Sequence, residues 1–232
     1  MMLVGRIESL ARLSMLGVVM ALAWPAAAWA EAASALRVEY HQWQVGKDGV
    51  RQELSYAEKL YRQENTLWVE REVPEAAQRD HDDHHHGGLG HKHADVVGAP
   101  LWIQRDDSGN VDVKLVDRYE QRLIDITPPY YGNVGYDGHW VETWALVDPA
   151  SLSSLEPSSV AEGVETYQMQ RGSQHITLVW NPERRYAVSI RSRDEHGLSG
   201  RIIEAREIAD PEPAPWTTLK GYKNRDYSDL LD

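Results

Sequence analysis

Apolar and polar residues alternate with a period of two along much of this chain. Leu36, Val38 and Tyr40 are separated by polar residues, which is the pattern of a strand with one buried face. Similar stretches, bounded by Gly, Asn, Asp or Pro, follow at 50–62, 66–73, 101–105 and 111–117. Residues 118–126 fit either a short helix or a strand. This pattern predicts a mainly β protein.

The clearest series of strand patterns lies between residues 164 and 208. Three tight turns separate four apolar stretches, at 164–170, 175–180, 186–191 and 201–208. Such spacing predicts a four-strand antiparallel meander, which is compatible with a sandwich, an open barrel or a closed barrel. Few helices are expected, because no 3.6-residue pattern extends over fifteen residues; short ones are predicted at 148–155 and 226–231.

The N-terminal segment has the pattern of a secretory signal peptide. Arg6 and Arg12 precede an apolar run at 13–24, and Ala28-Trp29-Ala30 fits the small-x-small cleavage rule. An uncleaved anchor is the alternative, but the run is only about half the length that crosses a bilayer. We expect cleavage before Glu31 and export to the periplasm, with full secretion as the alternative. No later segment is apolar enough to span a membrane.

Domain boundaries follow from these patterns. Residues 1–30 are the predicted signal peptide, and 31–209 the predicted β-rich domain with a His-rich loop at 74–99. Residues 210–232 form a Pro-rich linker and a C-terminal tail, which either docks on the domain or stays loose.

Composition excludes several classes of function. The net charge is −12, and it becomes −13 when residues 1–30, with two basic and one acidic residue, are removed. Nucleic acid and anionic lipid surfaces require positive patches, so neither is an expected partner. The absence of Cys excludes thiolate zinc sites, covalent haem attachment and a cysteine nucleophile. Neither a nucleotide-binding motif nor a catalytic motif is present, so we expect no nucleotide and no enzymatic activity.

Six of the ten histidines lie in residues 81–93. Neutral imidazole is the commonest ligand for transition metals, and carboxylates add charge and oxygen donors. Intervening glycines favour an adaptable site for Zn²⁺, with Ni²⁺ and Cu²⁺ as alternatives. The candidate ligands are His81, His84, His85, His86, His91 and His93, with Asp82 and Asp83. The alternative interpretation is a solvated loop with incidental affinity for metals.

A second group of candidates lies in an aromatic-rich stretch at 130–144. His139 and Asp137 are accessory candidates for metal ligands there. A metal-dependent enzyme that uses His139 is a further functional hypothesis, besides the two functions stated below. The aromatic residues are predicted either to form a rim that faces a ligand or, more simply, to pack in the core.

In its size, export signal and antiparallel meander, the chain resembles the periplasmic open-barrel clamps of the LolA, LolB and RseB type, over about residues 36–208. The resemblance concerns architecture and implies no site residues. It implies an antiparallel meander forming a strongly curved sheet or open barrel, with few short helices.

Two functions are therefore predicted. The first is an exported divalent-metal-binding protein that buffers, delivers or senses zinc through the His-rich loop. The alternative is a periplasmic carrier or interaction module that holds a lipid, lipoprotein or partner peptide in a curved sheet. Its partners would then include envelope lipids or proteins as well as metal ions.

Overall fold

The computed structural model of the protein describes residues 34–73 and 98–230, and the strands in these ranges form one sheet. The strands are β1 Ser34–Val45, β2 Arg51–Gln63, β3 Thr66–Arg71, β4 Leu101–Arg105, β5 Val111–Asp117, β6 Arg122–Ile126, β7 Ser159–Ala161, β8 Val164–Arg171, β9 Gln174–Asn181, β10 Tyr186–Asp194, β11 Ser199–Ile208 and β12 Lys223–Asp226. Helix α1 is Trp140–Ala145, and short 3-10 helices cover Pro128–Val134, Pro149–Leu152, Pro215–Leu219 and Tyr227–Leu230.

The twelve strands lie in the order β12-β6-β5-β4-β3-β2-β1-β11-β10-β9-β8-β7. All neighbours are antiparallel except β12, which pairs with β6 in parallel. β12 and β7 are edge strands, so the sheet is open. The predicted mainly β fold and four-strand meander are confirmed, with the meander formed by β8 to β11.

The ambiguous stretch 118–126 contains strand β6, and the two predicted short helices are 3-10 helices at Pro149–Leu152 and Tyr227–Leu230. The sequence patterns did not predict helix α1, the 3-10 helix Pro128–Val134, or the short edge strands. The predicted signal peptide and residues 74–97 of the predicted His-rich loop lie outside the described residues.

One face of the sheet, called here the inner face, carries the main core. Alternation along each strand places the members of this core on the same face, because side chains that face each other across a ladder share a side. Leu36 is opposite Leu60, and Leu67 is opposite Ile103. These four side chains are at most 3% exposed, so the core lies at the centre of the sheet.

The chain between β6 and β7 crosses this inner face. Tyr136, Trp140 and Trp144 of the crossing segment are buried in the same core. The predicted packing role of the aromatic stretch is therefore correct for these residues. Arg62 of β2 connects the segment to the sheet through a hydrogen bond, which its guanidinium donates to the carbonyl oxygen of Trp144 at 2.8 Å.

The first part of the C-terminal tail packs on the opposite, outer face, whereas Tyr227, after β12, belongs to the main core. Leu219 is 7% exposed and joins a second apolar cluster with Trp68 and Val116, while Trp216 packs against it. β12 then extends the sheet beside β6. Of the two alternatives for the tail, the structure shows the docked one.

Candidate functional site

A cavity of about 690 Å³ lies between the inner face and the crossing segment. Ligand clefts are typically about 300–1,000 Å³, so its size suits a small or medium-sized molecule. Polar atoms provide more of its exposed lining than apolar atoms do, and the apolar part comes from Val38, Leu60, Val69, Ala99, Leu101, Ile103, Val134, Leu146 and Ile203. Gly132, Asn133 and Tyr136 belong to the opposite wall, so part of the predicted aromatic stretch does face the cavity.

A row of polar side chains crosses one end of the cavity, on strands β3, β2, β1 and β11. The rings of Tyr56 and Tyr40 stack with centroids 4.6 Å apart. Beside them, the Arg71 guanidinium is 3.8 Å from the Tyr56 centroid, and that of Arg201 is 5.7 Å from the Tyr40 centroid. Two cations therefore flank a stacked pair of tyrosines, an arrangement that ring quadrupoles stabilise.

Glu58 is the carboxylate of this polar row. It lies opposite Arg71 in the β2–β3 ladder and opposite Val38 in the β1–β2 ladder. Burial raises the pKa of Glu58, against the opposing effects of Arg71, a hydrogen bond with Tyr40, and Arg201. Burial also raises the pKa of Tyr40, so this tyrosine is a neutral hydroxyl at physiological pH.

Two donors that border the cavity have no acceptor within the described part of the chain. They are Nε of Arg71 and the hydroxyl of Tyr136, which are both buried atoms. Burial, followed by the nearby Tyr131 and Asp137, raises the pKa of Tyr136 to about 12, so its hydroxyl keeps its proton. Buried donors are nearly always paired in proteins, so each unpaired one requires an explanation.

A group with ligands suited to metals lies at the solvent side of the crossing segment. One ligand atom each from Asp137, His139 and Glu142 lies within 4.8 Å of the others, and all three residues are exposed. The Asp137 carboxylate also accepts from the His139 backbone N–H at 2.9 Å, which orders the turn before α1. Asp137 and Glu142 line the cavity as well.

The structure brings together only part of the residues predicted as metal ligands. His139 and Asp137 meet as accessory candidates, whereas His81, His84, His85, His86, His91, His93, Asp82 and Asp83 lie outside the described residues. Glu142 was missed, although it follows His139 at a helical spacing of three, because helix α1 was not predicted. Within the described ranges, His41 lies on the outer face with its Nδ1 2.8 Å from the Ser55 hydroxyl.

The polar row was not predicted from the sequence. Its signal was present in the strand pattern, since Glu58 stands between Tyr56 and Leu60, and Arg71 follows Val69, at positions where the alternation calls for inward-facing residues. Charged residues at inward positions of a strand are uncommon, so these two positions depart from the strand pattern. Only the register shows that the two charges are neighbours.

No family model matches the chain, and no curated protein matches it. Several solved structures resemble it. One is an uncharacterized conserved protein from Thermus thermophilus, which is 11% identical in sequence and has a TM-score of 0.34; the match covers 86% of this chain and 94% of that chain. A LolA superfamily protein from Nitrosomonas europaea has 9% identity, coverage of 79% and 89%, and a TM-score of 0.33.

A putative outer membrane lipoprotein-sorting protein domain from Vibrio parahaemolyticus has 9% identity, coverage of 81% and 92%, and a TM-score of 0.30. The architectural resemblance to LolA-type proteins that was predicted from the sequence is thus found again. At these TM-scores it carries no conclusion about ligand or activity. Across residues 34–73 and 98–230, no helix has the length and apolar character to cross a membrane.

Proposed function

We propose that this protein is an exported carrier that binds the acyl chain of a lipid or lipoprotein in the cavity on the inner face of its sheet. The observation that carries this proposal is the cavity itself. It has a volume of about 690 Å³, and its floor is formed by aliphatic side chains of β2, β3 and β4, among them Leu60, Val69 and Leu101. An apolar chain that fills such a space is removed from water, which favours binding by about 0.8 kcal/mol per buried methylene.

Two further features support a carrier. The crossing segment, residues 127–158, contacts the sheet through aromatic side chains and the hydrogen bond from Arg62, so it forms a wall that a ligand can approach from the side of exposed Asn133 and Asp137. The predicted signal peptide, with Arg6 and Arg12 before its apolar run, supports the periplasm, where acyl-bearing molecules must be carried through water.

The test is binding of N-phenyl-1-naphthylamine, a neutral probe that fluoresces in apolar cavities, to the purified exported protein. Ala99 lines the cavity, so Ala99→Trp places an indole where the probe would lie, while Ala161→Trp places one on the exposed edge strand β7. We expect saturable binding in the wild type and in A161W, and at least tenfold weaker binding in A99W. Absence of binding in the wild type, or equal binding by A99W, would contradict the proposal. Lipid that remains in the purified protein is measured by solvent extraction and mass spectrometry.

A second candidate function, binding of a divalent metal with Zn²⁺ preferred over Ni²⁺ and Cu²⁺, is favoured by the group of Asp137, His139 and Glu142. These residues offer one imidazole and two carboxylates, which are donor types that Zn²⁺ accepts. Residues of the predicted His-rich loop, 81–93, would add further imidazoles.

Calorimetric titration of metal-free protein with each ion tests this candidate. We expect submicromolar zinc binding that is lost when residues 80–95 are deleted, weakened by His139→Ala, and weakened again as the pH falls through about 6–7, because imidazole must be neutral to ligate. Zinc binding that is unchanged by the deletion and by H139A would rule out both ligand groups. The probe titration above is independent of this result.

A further inference from the structure

The polar row of the cavity has an imbalance of charge. Arg71 and Arg201 contribute two positive charges next to the stacked tyrosines, and Glu58 contributes one negative charge when it is ionised. The remaining carboxylates of the lining, Asp137 and Glu142, are exposed to solvent on the opposite wall, where water screens them. The row itself thus has one positive charge in excess, whereas the whole lining, with Asp137 and Glu142, has two positive and three negative charges.

Two buried donors without an acceptor belong to residues that line the cavity. Nε of Arg71 and the hydroxyl of Tyr136 belong to opposite walls of the cavity, the first on β3 and the second on the crossing segment. Both are donors, so the group that satisfies them must be an acceptor. Guanidinium groups pair most strongly with the oxygens of carboxylates and phosphates.

The apolar floor begins directly beside this point. Val69 precedes Arg71 by two residues on β3 and therefore faces the same side, and Val69 is opposite Leu101 in the next ladder. A ligand with an oxyanion at Arg71 would therefore extend its apolar part over Val69, Leu101 and Leu60. The geometry matches a molecule with one charged end and an aliphatic chain.

We infer that the cavity selects acyl ligands with a singly charged oxyanion head group, which the guanidinium groups of Arg71 and Arg201 attract and to which Tyr136 offers a further donor. This inference rests on the proposed carrier function. The head group is either the carboxylate of a fatty acid or the phosphodiester of a phospholipid. Glu58 opposes binding through its own negative charge, which limits the affinity and keeps the ligand exchangeable.

The test compares three ligands that displace N-phenyl-1-naphthylamine from the purified exported protein at pH 7.5. They are palmitate, with a carboxylate, lysophosphatidylglycerol, with a singly charged phosphodiester, and 1-hexadecanol, which is neutral. We expect one or both anions to bind at least tenfold more tightly than hexadecanol, and the better anion identifies the source of the head group. Equal displacement by all three ligands would overturn the inference.

Variants separate the head-group site from the apolar cavity. We expect Arg71→Gln to reduce anion affinity to that of hexadecanol without changing binding of the neutral probe. Tyr136→Phe, which removes only the hydroxyl, should weaken anion binding severalfold, and Glu58→Gln should strengthen it. Arg171→Gln changes an exposed arginine of β8 away from the cavity and is the matched control.

Each outcome has a separate meaning. If Arg71→Gln and Tyr136→Phe leave the preference for anions intact while the probe still binds, the head-group site is wrong and the apolar carrier remains. If neither the probe nor any of the three ligands binds the wild type, the carrier function itself fails. Loss of probe binding in Arg71→Gln would indicate misfolding, and the Tyr136→Phe and Glu58→Gln variants then decide the question.

Discussion

Arg62 provides the most direct test of how the crossing segment is held over the cavity. Its side chain belongs to β2, is buried with a residue exposure of 2%, and donates from Nη1 to the carbonyl oxygen of Trp144 at 2.8 Å. Its Nε also donates to the hydroxyl of Ser34 at 3.0 Å, and the guanidinium lies 5.4 Å from the Tyr186 ring centroid. Trp144 is near the C-terminal end of α1, where helix carbonyls lack partners and a positive charge is favourable.

The cost of replacing Arg62 with Met is estimated from these contacts. A hydrogen bond from a charged donor contributes about 1.5–3 kcal/mol, and the variant removes such bonds to two acceptors. The gain from no longer burying a guanidinium offsets part of this loss. We therefore expect Arg62→Met to lower the free energy of unfolding by about 3 kcal/mol, which corresponds to roughly 6–12 °C in Tm for a domain of this size.

Urea unfolding at pH 7.5 measures this loss as a lower midpoint with an unchanged slope. Arg105→Met is the matched control, because Arg105 also lies over a tryptophan of the crossing segment, 5.0 Å from the Trp140 centroid, but its hydrogen bond to Asn65 is exposed. An exposed cation–π contact is worth about 0.5–1 kcal/mol, so this variant should lose no more than that.

Hydrogen exchange should report the local effect of the same substitution. In Arg62→Met we expect faster amide exchange in residues 140–146, since the segment loses its fastening to the sheet, with less change in β8 and β9. A loss of stability below about 0.5 kcal/mol, or a loss equal to that of Arg105→Met, would refute the role assigned to Arg62.

Three further substitutions test other parts of the fold. Despite desolvation, hydrogen bonds from the following turn lower the pKa of Asp194 to about 2, so the ionised side chain should stabilise the fold above the unfolded pKa near 3.8 and lose this effect as the pH falls toward 2. The Tm of Asp194→Asn should therefore be clearly lower than that of the wild type at pH 7, with a smaller difference at pH 3. A difference in Tm that does not depend on pH would contradict this. A Cβ at Gly200 would clash with the Trp43 ring, so Gly200→Ala should cost about 1–3 kcal/mol in urea unfolding, and an unchanged midpoint would count against that close approach. Leu219→Ala should cost about 2–3 kcal/mol and increase quenching of tryptophan fluorescence by acrylamide, because the tail covers Trp68, and unchanged quenching would argue against docking.

The strand content of this protein could be predicted locally because a strand with one buried face has a simple period. Leu36, Val38 and Tyr40 alternate with polar residues, and such a signal needs no information from the rest of the chain. The meander from β8 to β11 was equally accessible, since short turns force neighbouring strands to pair. Helix α1 was not, because its six residues are too few for a helical period and depend on packing against the sheet.

Some residues of the candidate sites could likewise be predicted from the sequence, and others could not. The sequence alone indicated that the histidines of residues 81–93 could bind a metal, because metal ligands are recognised by residue type and spacing. The meeting of Asp137, His139 and Glu142 depends on a turn and a helix that the sequence pattern did not reveal. That group therefore had to be found in three dimensions.

Local periodicity and residue chemistry in the sequence determined the β class, the antiparallel meander, the predicted export signal and the metal-binding potential. Register and long-range packing decided the rest. Arg71 and Glu58 are thirteen positions apart, and Arg201 is a further 130 positions away, yet the pairing of β11, β1, β2 and β3 places them around the same two tyrosine rings. A shift of one residue in any of these ladders would turn the charges to the other face, and for that reason the polar row and its cavity are properties of the tertiary structure.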